Sequence, residues 1–348
     1  MTLRILSLIT ASVVMLMLSG HSLSMSLLRA DPPKYYQAPE TSWTTFKQRF
    51  ISDGRVIDTG NNNISHTEGQ GWAMLMAEHH GDRESFDALW SWTKKELLKH
   101  HSGLFSWRYD PNQTPAVSDL NNASDGDVFI AWALLRAGIR WHDKIYVNEG
   151  TALRNRIANQ LVHQIGDFTI LLPGREGFQR SDGVIINLSY WVMPAFKDFA
   201  AVDPGGPWQA LIEDGERLLQ LSNSGDYSLP ADWMLLSNNG ELSIAEDWPP
   251  RFGFEGVRIP LYFSWAGKRN AKALQPIRDF WEQEQPAWVN VVTGDKADYP
   301  LSAGGLAIRD LVNGRLKETM PQVTRRMDYY ASSLMILSQM AAAESPGN

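Results

Sequence analysis

The sequence predicts a single all-helical domain, on three observations. Apolar residues recur at the spacing of an α-helix along most of the chain, and the pattern delimits about a dozen helical segments. Strand-like alternation is scarce, and its best short candidate is 167–172. No internal repeat is visible, and no linker divides the chain after its first 40 residues, so one domain fits better than two.

Each helical segment carries its apolar residues on one face. The clearest sets are Trp43, Phe46 and Phe50; Phe86, Leu89, Trp90 and Leu97; and Leu153, Ile157, Leu161 and Ile165. Loops rich in Gly, Pro, Asn and Asp separate the segments, for instance at 58–63, 109–122 and 246–253.

Composition excludes several classes of function. Of the 348 residues, 43% are apolar, which is enough for a sizeable core. The formal net charge of -7 and the lack of any run of Lys or Arg argue against a nucleic-acid partner, which would need a basic patch. The chain has no cysteine, so disulfides, thiolate metal ligands and cysteine nucleophiles are excluded.

The N-terminus has the pattern of a secretory signal. Arg4 precedes an apolar run at 5–18, and small and polar residues follow at 19–24. The run is shorter than the roughly 20 apolar residues that span a bilayer, so a cleaved signal is favoured over a membrane anchor. We expect a periplasmic or secreted protein without membrane contact. The predicted divisions are a signal peptide at 1–24, a Pro-containing linker at 25–40, a folded domain at 41–343 and a tail at 344–348.

The chain holds 14 tryptophans, and some of them stand beside loop-forming residues: Trp107, Trp233 and Trp248. Aromatic faces stack on the C–H faces of sugars, so a carbohydrate cleft is one interpretation. Packing between helices is the other, and for any single Trp it is the commoner role.

Glu68 is the first candidate for chemistry, in a polar loop that leads into an apolar helix. Ser65 and Glu68 have the spacing of a capping box, in which Glu68 would satisfy a backbone N–H at the helix start. From spacing alone, that structural role is the better interpretation. A metal site built from His66, Glu68, His79 and His80 is less favoured, because no known spacing of two histidines with a carboxylate is present.

Asp125 and Asp127 form the second candidate, directly before the apolar helix predicted at 128–141. Two acids at a helix start could act as a cap with dipole-favourable charge, or open a calcium-binding loop. The calcium pattern fails, because the third acidic position and the closing Glu are missing. By themselves the two acids are therefore unremarkable.

The stretch 123–137, Ala-Ser-Asp-Gly-Asp-Val-Phe-Ile-Ala-Trp-Ala-Leu-Leu-Arg-Ala, resembles the signature of glycoside hydrolase family 8 position by position. The resemblance runs from about Trp43 to about Met340, and within the family it is strongest to the periplasmic endoglucanases that accompany bacterial cellulose synthase. Further motifs follow in the right order: Gly-Gln-Gly after Glu68, Leu-Phe-Ser-Trp-Arg at 104–108, Asn-Leu-Ser-Tyr at 187–190, Val-Arg-Ile-Pro-Leu-Tyr at 257–262 and Asp-Tyr-Tyr at 328–330.

This resemblance implies an (α/α)6 barrel with six inner and six outer helices. That number of helices agrees with the dozen or so helical segments of the sequence pattern. It implies inverting hydrolysis of a β-1,4-glucan chain with no cofactor and no metal. It also implies a role in trimming nascent cellulose, with the cellulose synthase complex as a partner.

The resemblance assigns roles residue by residue. Glu68 matches the general acid, and Asp125 matches the Asp that contacts the distorted sugar at the point of cleavage. Trp107 matches a stacking aromatic, and Arg258 matches the Arg that follows the general base. The positions that match cleft-lining residues are Tyr190, Tyr329 and Tyr330.

The chain departs from the family at the general base. Where the family usually has Asp in a Tyr-Asp-Ala-Ile-Arg segment, this chain reads Phe254-Glu255-Gly256-Val257-Arg258. The carboxylate is kept but is one methylene longer, which moves it by on the order of 1 Å unless the backbone retreats. Gly256, where related chains tend to carry Ala, would permit such a retreat, and we expect Glu255 to serve as the base.

The proposed acid must also satisfy an electrostatic condition. Glu68 has to stay protonated near neutral pH, whereas the partial positive charge of a helix N-terminus favours ionised Glu. Burial, or a neighbouring carboxylate such as Asp125, must therefore outweigh the helix dipole.

Two other functions stay open on the sequence. One is a non-catalytic glucan-binding component of a cellulose-export assembly, with its base altered at Glu255. The retention of Glu68 and Asp125 argues against it, because a pure binding protein needs neither acid. The other keeps the fold and acts on xylan or chitosan.

Overall fold

The structure is a computed structural model that describes residues 40–319 and 321–345. The predicted signal peptide at 1–24 and nearly all of the predicted linker lie outside the described residues. Of the helices within those two ranges, none is long and apolar enough to cross a membrane.

Inner and outer helices alternate along the described part of the chain. The outer helices are α1 (Glu40–Phe50), α3 (Arg83–Leu97), α5 (Lys144–Leu161), α7 (Trp208–Leu221), α9 (Gln275–Gln283) and α11 (Leu316–Thr319). The inner helices are α2 (Thr67–His79), α4 (Ser124–Arg140), α6 (Met193–Val202), α8 (Ile259–Trp265), α10 (Ala303–Val312) and α12 (Tyr329–Glu344).

The six inner helices form a closed ring. Each one contacts the next inner helix, and α12 contacts α2. Side chains on nearly every face of α2 and α12 are buried, whereas the outer helices α3, α7 and α9 bury one stripe. The predicted (α/α)6 barrel is therefore confirmed.

Aromatic side chains fill the centre of the ring. The Phe129 ring of α4 lies 6.1 Å from that of Trp72 on α2 and 5.6 Å from that of Tyr262 on α8, measured between centroids. Trp132 on α4 packs edge to face on Trp265 of α8 at 5.2 Å. Edge-to-face pairs at these distances stabilise the core beyond the area that they bury.

Short antiparallel strands occupy the connections between helices. They are β1 (Ile51–Ser52), β2 (Arg55–Val56), β3 (Ser65–His66), β4 (Arg108–Tyr109), β5 (Val162–Ile165), β6 (Phe168–Leu171), β7 (Gly183–Ile186), β8 (Met234–Ser237), β9 (Leu242–Ile244), β10 (Arg251–Phe252) and β11 (Val289–Asn290). The sheets are β1-β2, β3-β4, β5-β6, β7-β8-β9 and β10-β11. The β3-β4 pair, in which His66 lies opposite Arg108, joins the start of α2 to the Trp107 loop.

The strand predicted at 167–172 is confirmed as β6, but the helical face that was extended to Ile165 is wrong. Helix α5 ends at Leu161, and Ile165 pairs with Phe168 in a hairpin. Gly166, with a φ of 55°, makes the tight turn of that hairpin. Apolar spacing alone did not reveal the turn, because the strand residues continue the apolar pattern of the helix.

A buried ionic network joins four inner helices near their C-terminal ends. The Glu344 carboxylate of α12 accepts two hydrogen bonds from Arg136 at 2.8 Å and one from Trp265 at 2.9 Å, and it lies 2.8 Å from His79 Nδ1. Arg136 also donates to Glu78 at 2.8 Å. Helix α12 therefore extends into the predicted tail, and its last residue is tied to α2, α4 and α8.

Burial alone would raise the pKa of the Glu344 carboxyl, but the charge and hydrogen bonds of Arg136, with the hydrogen bond from His79, hold it well below its ordinary value. A carboxyl whose pKa is lower in the folded state contributes its full stabilisation above the unfolded pKa of about 4.3. That stabilisation is lost as the pH falls from there toward the folded pKa.

We predict that Glu344→Gln lowers the free energy of unfolding by about 3–5 kcal/mol at neutral pH, because it leaves part of the charge of Arg136 unpaired in the core. Urea denaturation should show this difference shrinking as the pH is lowered from about 4.3 toward 3, because the Glu344 carboxyl of the unfolded wild-type chain then binds a proton while the folded one stays ionised. Glu216→Gln, which removes a partly exposed ion pair with Lys268, is the control and should cost less than about 1 kcal/mol. A Glu344→Gln deficit that stays constant with pH would contradict the network's ionic character.

Candidate active site

A cavity of about 740 Å³ lies where the inner helices begin. Each inner helix contributes residues at or just before its first turn, because alternate helices of the ring run in the same direction. The residues concerned are Thr67 and Glu68 in α2, Asp125 in α4, Tyr190 before α6, Arg258 before α8, Ser302 before α10, and Asp328 and Tyr330 at the start of α12.

Seven of the eight site residues that the sequence singled out line this cavity. They are Glu68, Trp107, Asp125, Tyr190, Glu255, Arg258 and Tyr330. The exception is Tyr329, which does not line the cavity. Its ring is buried against Phe46, Phe50 and His66, because successive residues of a helix point in different directions and Tyr330 takes the cavity side.

Arg258 lies at the centre of the site and is only 4% exposed. Its Nη1 is 2.9 Å from Glu68 Oε1, and its Nη2 is 2.5 Å from Glu255 Oε2 and 3.9 Å from Asp125 Oδ2. The planar, permanently charged guanidinium therefore lies between two carboxyl groups that come from opposite parts of the chain.

Glu68 is not part of a capping box, so that interpretation is wrong. The cap of α2 is His66, whose Nδ1 accepts the Gly69 N–H at 3.0 Å. Ser65 instead binds the β1-β2 hairpin, through Arg55 Nε at 2.8 Å and the Val56 carbonyl. The Glu68 carboxyl is left to face the cavity and Arg258.

Two glycines allow Glu68 and Asp125 to approach each other. A Cβ on Gly126 would lie 2.1 Å from Thr67 Oγ1, and one on Gly71 would lie 2.6 Å from the Phe129 Cβ. Helices α2 and α4 can pack this closely only without those side chains. The close packing brings both acidic first turns to one point.

Burial raises the pKa of Glu68 well above its ordinary value, against the opposing charge of Arg258, and the charges of Asp125 and Glu255 raise it further. Burial also raises the pKa of Asp125, but its ionised form is stabilised by Arg258, by a hydrogen bond from Glu68 and by the Gly126 N–H at 2.7 Å. These contacts favour a proton on Glu68 over one on Asp125. Burial and like charge outweigh the helix dipole, as the electrostatic condition requires.

Glu255 is held by three donors on one oxygen. Its Oε2 accepts hydrogen bonds from Arg258 Nη2 at 2.5 Å, Ser189 Oγ at 3.1 Å and Asn187 Nδ2 at 3.2 Å. The side chain is 28% exposed and reaches the cavity. Hydrogen bonds of this kind hold the carboxylate in a fixed orientation.

Gly256 lets the backbone behind Glu255 lie deeper than an Ala would allow. A Cβ at this position would lie 2.6 Å from the Phe252 ring and 3.0 Å from Asp232 Oδ1. Because Gly256 lacks that atom, the backbone can lie farther back and so offset the extra methylene of the Glu255 side chain.

Trp107 is a half-buried residue of the cavity wall. Its indole N–H donates to Asp119 at 2.7 Å, and the Arg108 guanidinium lies 5.8 Å from the ring centroid. The backbone is fixed to the start of α2, since the Thr67 N–H donates to the Trp107 carbonyl at 3.0 Å. By contrast, Trp233 and Trp248 do not line the cavity, and they stack on each other at 4.9 Å.

Sequence reasoning missed several residues of the site. Asn187 and Ser189 were noted only as part of a motif, although they hold Glu255. Phe254 was noted only as the neighbour of Glu255, and Asp58 and Tyr299 line the cavity from loops whose composition carries no signal of it.

Among the residues that the structure describes, no group of three or more His, Asp or Glu side chains could hold a metal ion. The arrangement can support acid–base chemistry with protein groups alone. A protonated carboxyl on one side of a cavity and an ionised carboxylate on the other can deliver a proton to a leaving oxygen and activate water.

Sequence and structure comparisons place this chain among known proteins. The family model described as Glycosyl hydrolases family 8 matches residues 7–344. The endoglucanase of Cellulomonas uda is 41% identical over 291 residues, which are 82% of this chain and 81% of that protein. A probable endoglucanase of Novacetimonas hansenii is 37% identical over 339 residues, with 96% and 98% covered. The crystal structure of a family 8 endo-β-1,4-glucanase from an Achatina fulica gut metagenomic library has a TM-score of 0.83 and 42% identity, covering 87% of this chain and 97% of its own.

We predict that the Glu68 carboxyl is protonated at neutral pH, because burial raises its pKa. The infrared difference spectrum of the wild-type protein minus Glu68→Gln should then contain the C=O stretch of a neutral carboxyl group. Glu344→Gln is the matched control and should remove only carboxylate bands, because the pKa of Glu344 is lowered. Carboxylate bands in the Glu68 difference spectrum would show instead that Arg258 outweighs burial.

Proposed function

The chain belongs to glycosyl hydrolase family 8, and on that basis we propose that it cleaves internal β-1,4 bonds of a glucan chain with inversion at the anomeric carbon. Glu68 is the general acid and Glu255 is the general base. The observation that carries this assignment is the position of Arg258 between the two carboxyl groups, 2.9 Å from one and 2.5 Å from the other.

An inverting hydrolase needs a carboxylic acid at the glycosidic oxygen and a carboxylate on the opposite face of the sugar ring. Glu68 donates its proton to the leaving oxygen as the bond from that oxygen to the anomeric carbon breaks. A water molecule attacks the anomeric carbon from the other face and gives its proton to Glu255. The step ends with Glu68 ionised and Glu255 protonated, so both must exchange protons with solvent before the next turnover.

Arg258 supports both groups without itself transferring a proton. Its charge stabilises Glu68 in the ionised form that appears as the proton leaves, and it orients the Glu255 carboxylate through Nη2. Burial and the charge of Asp125 favour the proton on Glu68 in the resting site, and Asp125 is proposed to accept a hydroxyl hydrogen bond from the sugar. Trp107, Tyr190 and Tyr330 supply aromatic wall on which sugar rings can stack.

A non-catalytic glucan-binding function is not favoured. The Glu255 carboxylate has three donors, and Gly256 accommodates the backbone behind it, so the altered base is fitted into the site rather than displaced from it. The nearest carboxylates of the loop before Glu255, Glu246 and Asp247, do not line the cavity, and Asp247 pairs with Arg180.

The proposed substrate in the cell is a β-1,4-glucan chain that is being made and exported. The sequence pattern at 1–24 supports passage to the periplasm or beyond, and the resemblance to cellulose-associated endoglucanases supports a role in trimming nascent cellulose beside the cellulose synthase complex. Activity toward carboxymethylcellulose, with little toward xylan or chitosan, would separate this substrate from the alternatives.

We predict that Glu68→Gln lowers kcat on cello-oligosaccharides by about 10²–10⁴-fold, because the amide keeps the size of the side chain but has no acidic proton. The fold should survive. Asp127→Asn is the matched control, since it removes another buried carboxyl of the same region that does not line the cavity. A folded Glu68→Gln protein with normal turnover would rule out Glu68 as the acid.

We predict that Glu255→Gln abolishes water activation and that azide, a small anionic nucleophile, restores part of the cleavage. Glu255→Asp should also lose activity, by about 10²-fold, because the shortened side chain withdraws the carboxylate by on the order of 1 Å from donors placed for Glu. The measurement is kcat for each variant, with and without azide. A Glu255→Asp enzyme faster than the wild type would mean that Glu is a handicap at this position.

A further inference from the structure

Asp232 lies behind the loop that carries Glu255 and does not line the cavity. It precedes β8, and its own N–H donates to the Arg251 carbonyl at 2.6 Å. One oxygen of its carboxylate, Oδ1, accepts both the Gly253 N–H at 2.9 Å and the Gly256 N–H at 2.8 Å. These two amides lie on either side of Phe254 and Glu255 in the chain. A single carboxylate oxygen therefore binds both ends of the loop.

Both bracketing residues are glycines, and a side chain at either position would crowd this contact. A Cβ on Gly253 would lie 3.0 Å from the Trp288 side chain and 3.3 Å from Asp232 Oδ2. A Cβ on Gly256 would lie 3.0 Å from Asp232 Oδ1. The missing side chains therefore ease the close approach of the carboxylate to the backbone.

The front of the same loop is held separately. The Tyr330 hydroxyl donates to the Phe254 carbonyl at 2.5 Å, from the cavity side. The loop is thus fixed between Tyr330 in front and Asp232 behind, and Asp232 sets how far back the Glu255 backbone lies.

We propose that Asp232 is a positioning residue for the general base, and that its two hydrogen bonds to glycine amides set the depth at which the longer Glu255 side chain meets the attacking water. This inference rests on the proposed role of Glu255. The charged groups that face Asp232 are Glu255 and Arg258, and burial followed by the charge of Glu255 raises the pKa of Asp232 to about 7. Asp232 acts as a hydrogen-bond acceptor, and the side-chain amide oxygen of an Asn at this position can accept the same two hydrogen bonds.

The test compares Asp232→Ala, which removes the acceptor, with Asp232→Asn, which keeps it. Asp232→Ala should lower kcat on cellopentaose by about 10²-fold with KM changed less than about threefold, since misplacement of a catalytic group by about 1 Å costs that much. Asp232→Asn should restore most of the rate. Asp214→Ala is the matched control, because Asp214 is also buried and accepts a backbone N–H, that of Thr169 at 2.8 Å, away from the cavity.

A second measurement does not depend on catalysis. Hydrogen–deuterium exchange at the Gly253 and Gly256 amides should become faster in Asp232→Ala and stay slow in Asp232→Asn. If Asp232→Ala fails to fold, kcat and hydrogen–deuterium exchange are measured on the Asp232→Asn variant instead. Equal kcat losses in the Ala and Asn variants, or a loss of the same size in Asp214→Ala, would overturn the proposal.

The third arm is a double mutant that separates this proposal from the base assignment. In a Glu255→Gln background, Asp232→Ala should cause little further loss of kcat, because the group that it positions is already gone. A further loss of about 10²-fold would show that Asp232 acts through something other than Glu255. A normal kcat in Glu255→Gln alone would instead refute the assignment of Glu255 as the general base, whatever the hydrogen–deuterium exchange data show.

Discussion

The contact of one guanidinium with two carboxyl groups is the interaction on which the rest of the site depends. Arg258 is almost completely buried, and it can stay so only because Glu68, Glu255 and Asp125 surround it. The same carboxylates could not lie so close together without it. The positive charge therefore permits three acids in one cavity, while burial raises the pKa of Glu68.

The closed helical ring makes this concentration of charge possible. Because the inner helices begin around one cavity, their first turns supply Glu68 and Asp125, and the segments just before them supply Arg258 and Tyr190. The glycine contacts between α2 and α4 bring two of those turns together. Further along the inner helices, the network around Glu344 joins four of them and stabilises the ring that carries the site.

Local patterns in the sequence predicted the helices well, and motifs predicted seven of the residues that line the cavity. The failures have physical reasons. Helical spacing continued through Ile165 because a β-strand also buries apolar residues, and the capping-box spacing at Glu68 did not reveal that the His66 ring would cap the helix instead. Tyr329 was grouped with Tyr330 because both belong to one sequence motif, but successive residues of α12 point to different sides of the helix. Asp232 was missed because its partners are backbone amides some 20 residues away, which leave no pattern of side chains to read.

The stereochemistry of the first product tests the account most directly. Two carboxyl groups that act on opposite faces of the sugar, one as acid and one as base, must invert the anomeric carbon. Proton NMR during the first turnovers of cellopentaose should therefore show new reducing ends in the α configuration, followed by slow mutarotation. New reducing ends that appear first as the β anomer would contradict the account, because retention requires a covalent intermediate on one carboxylate.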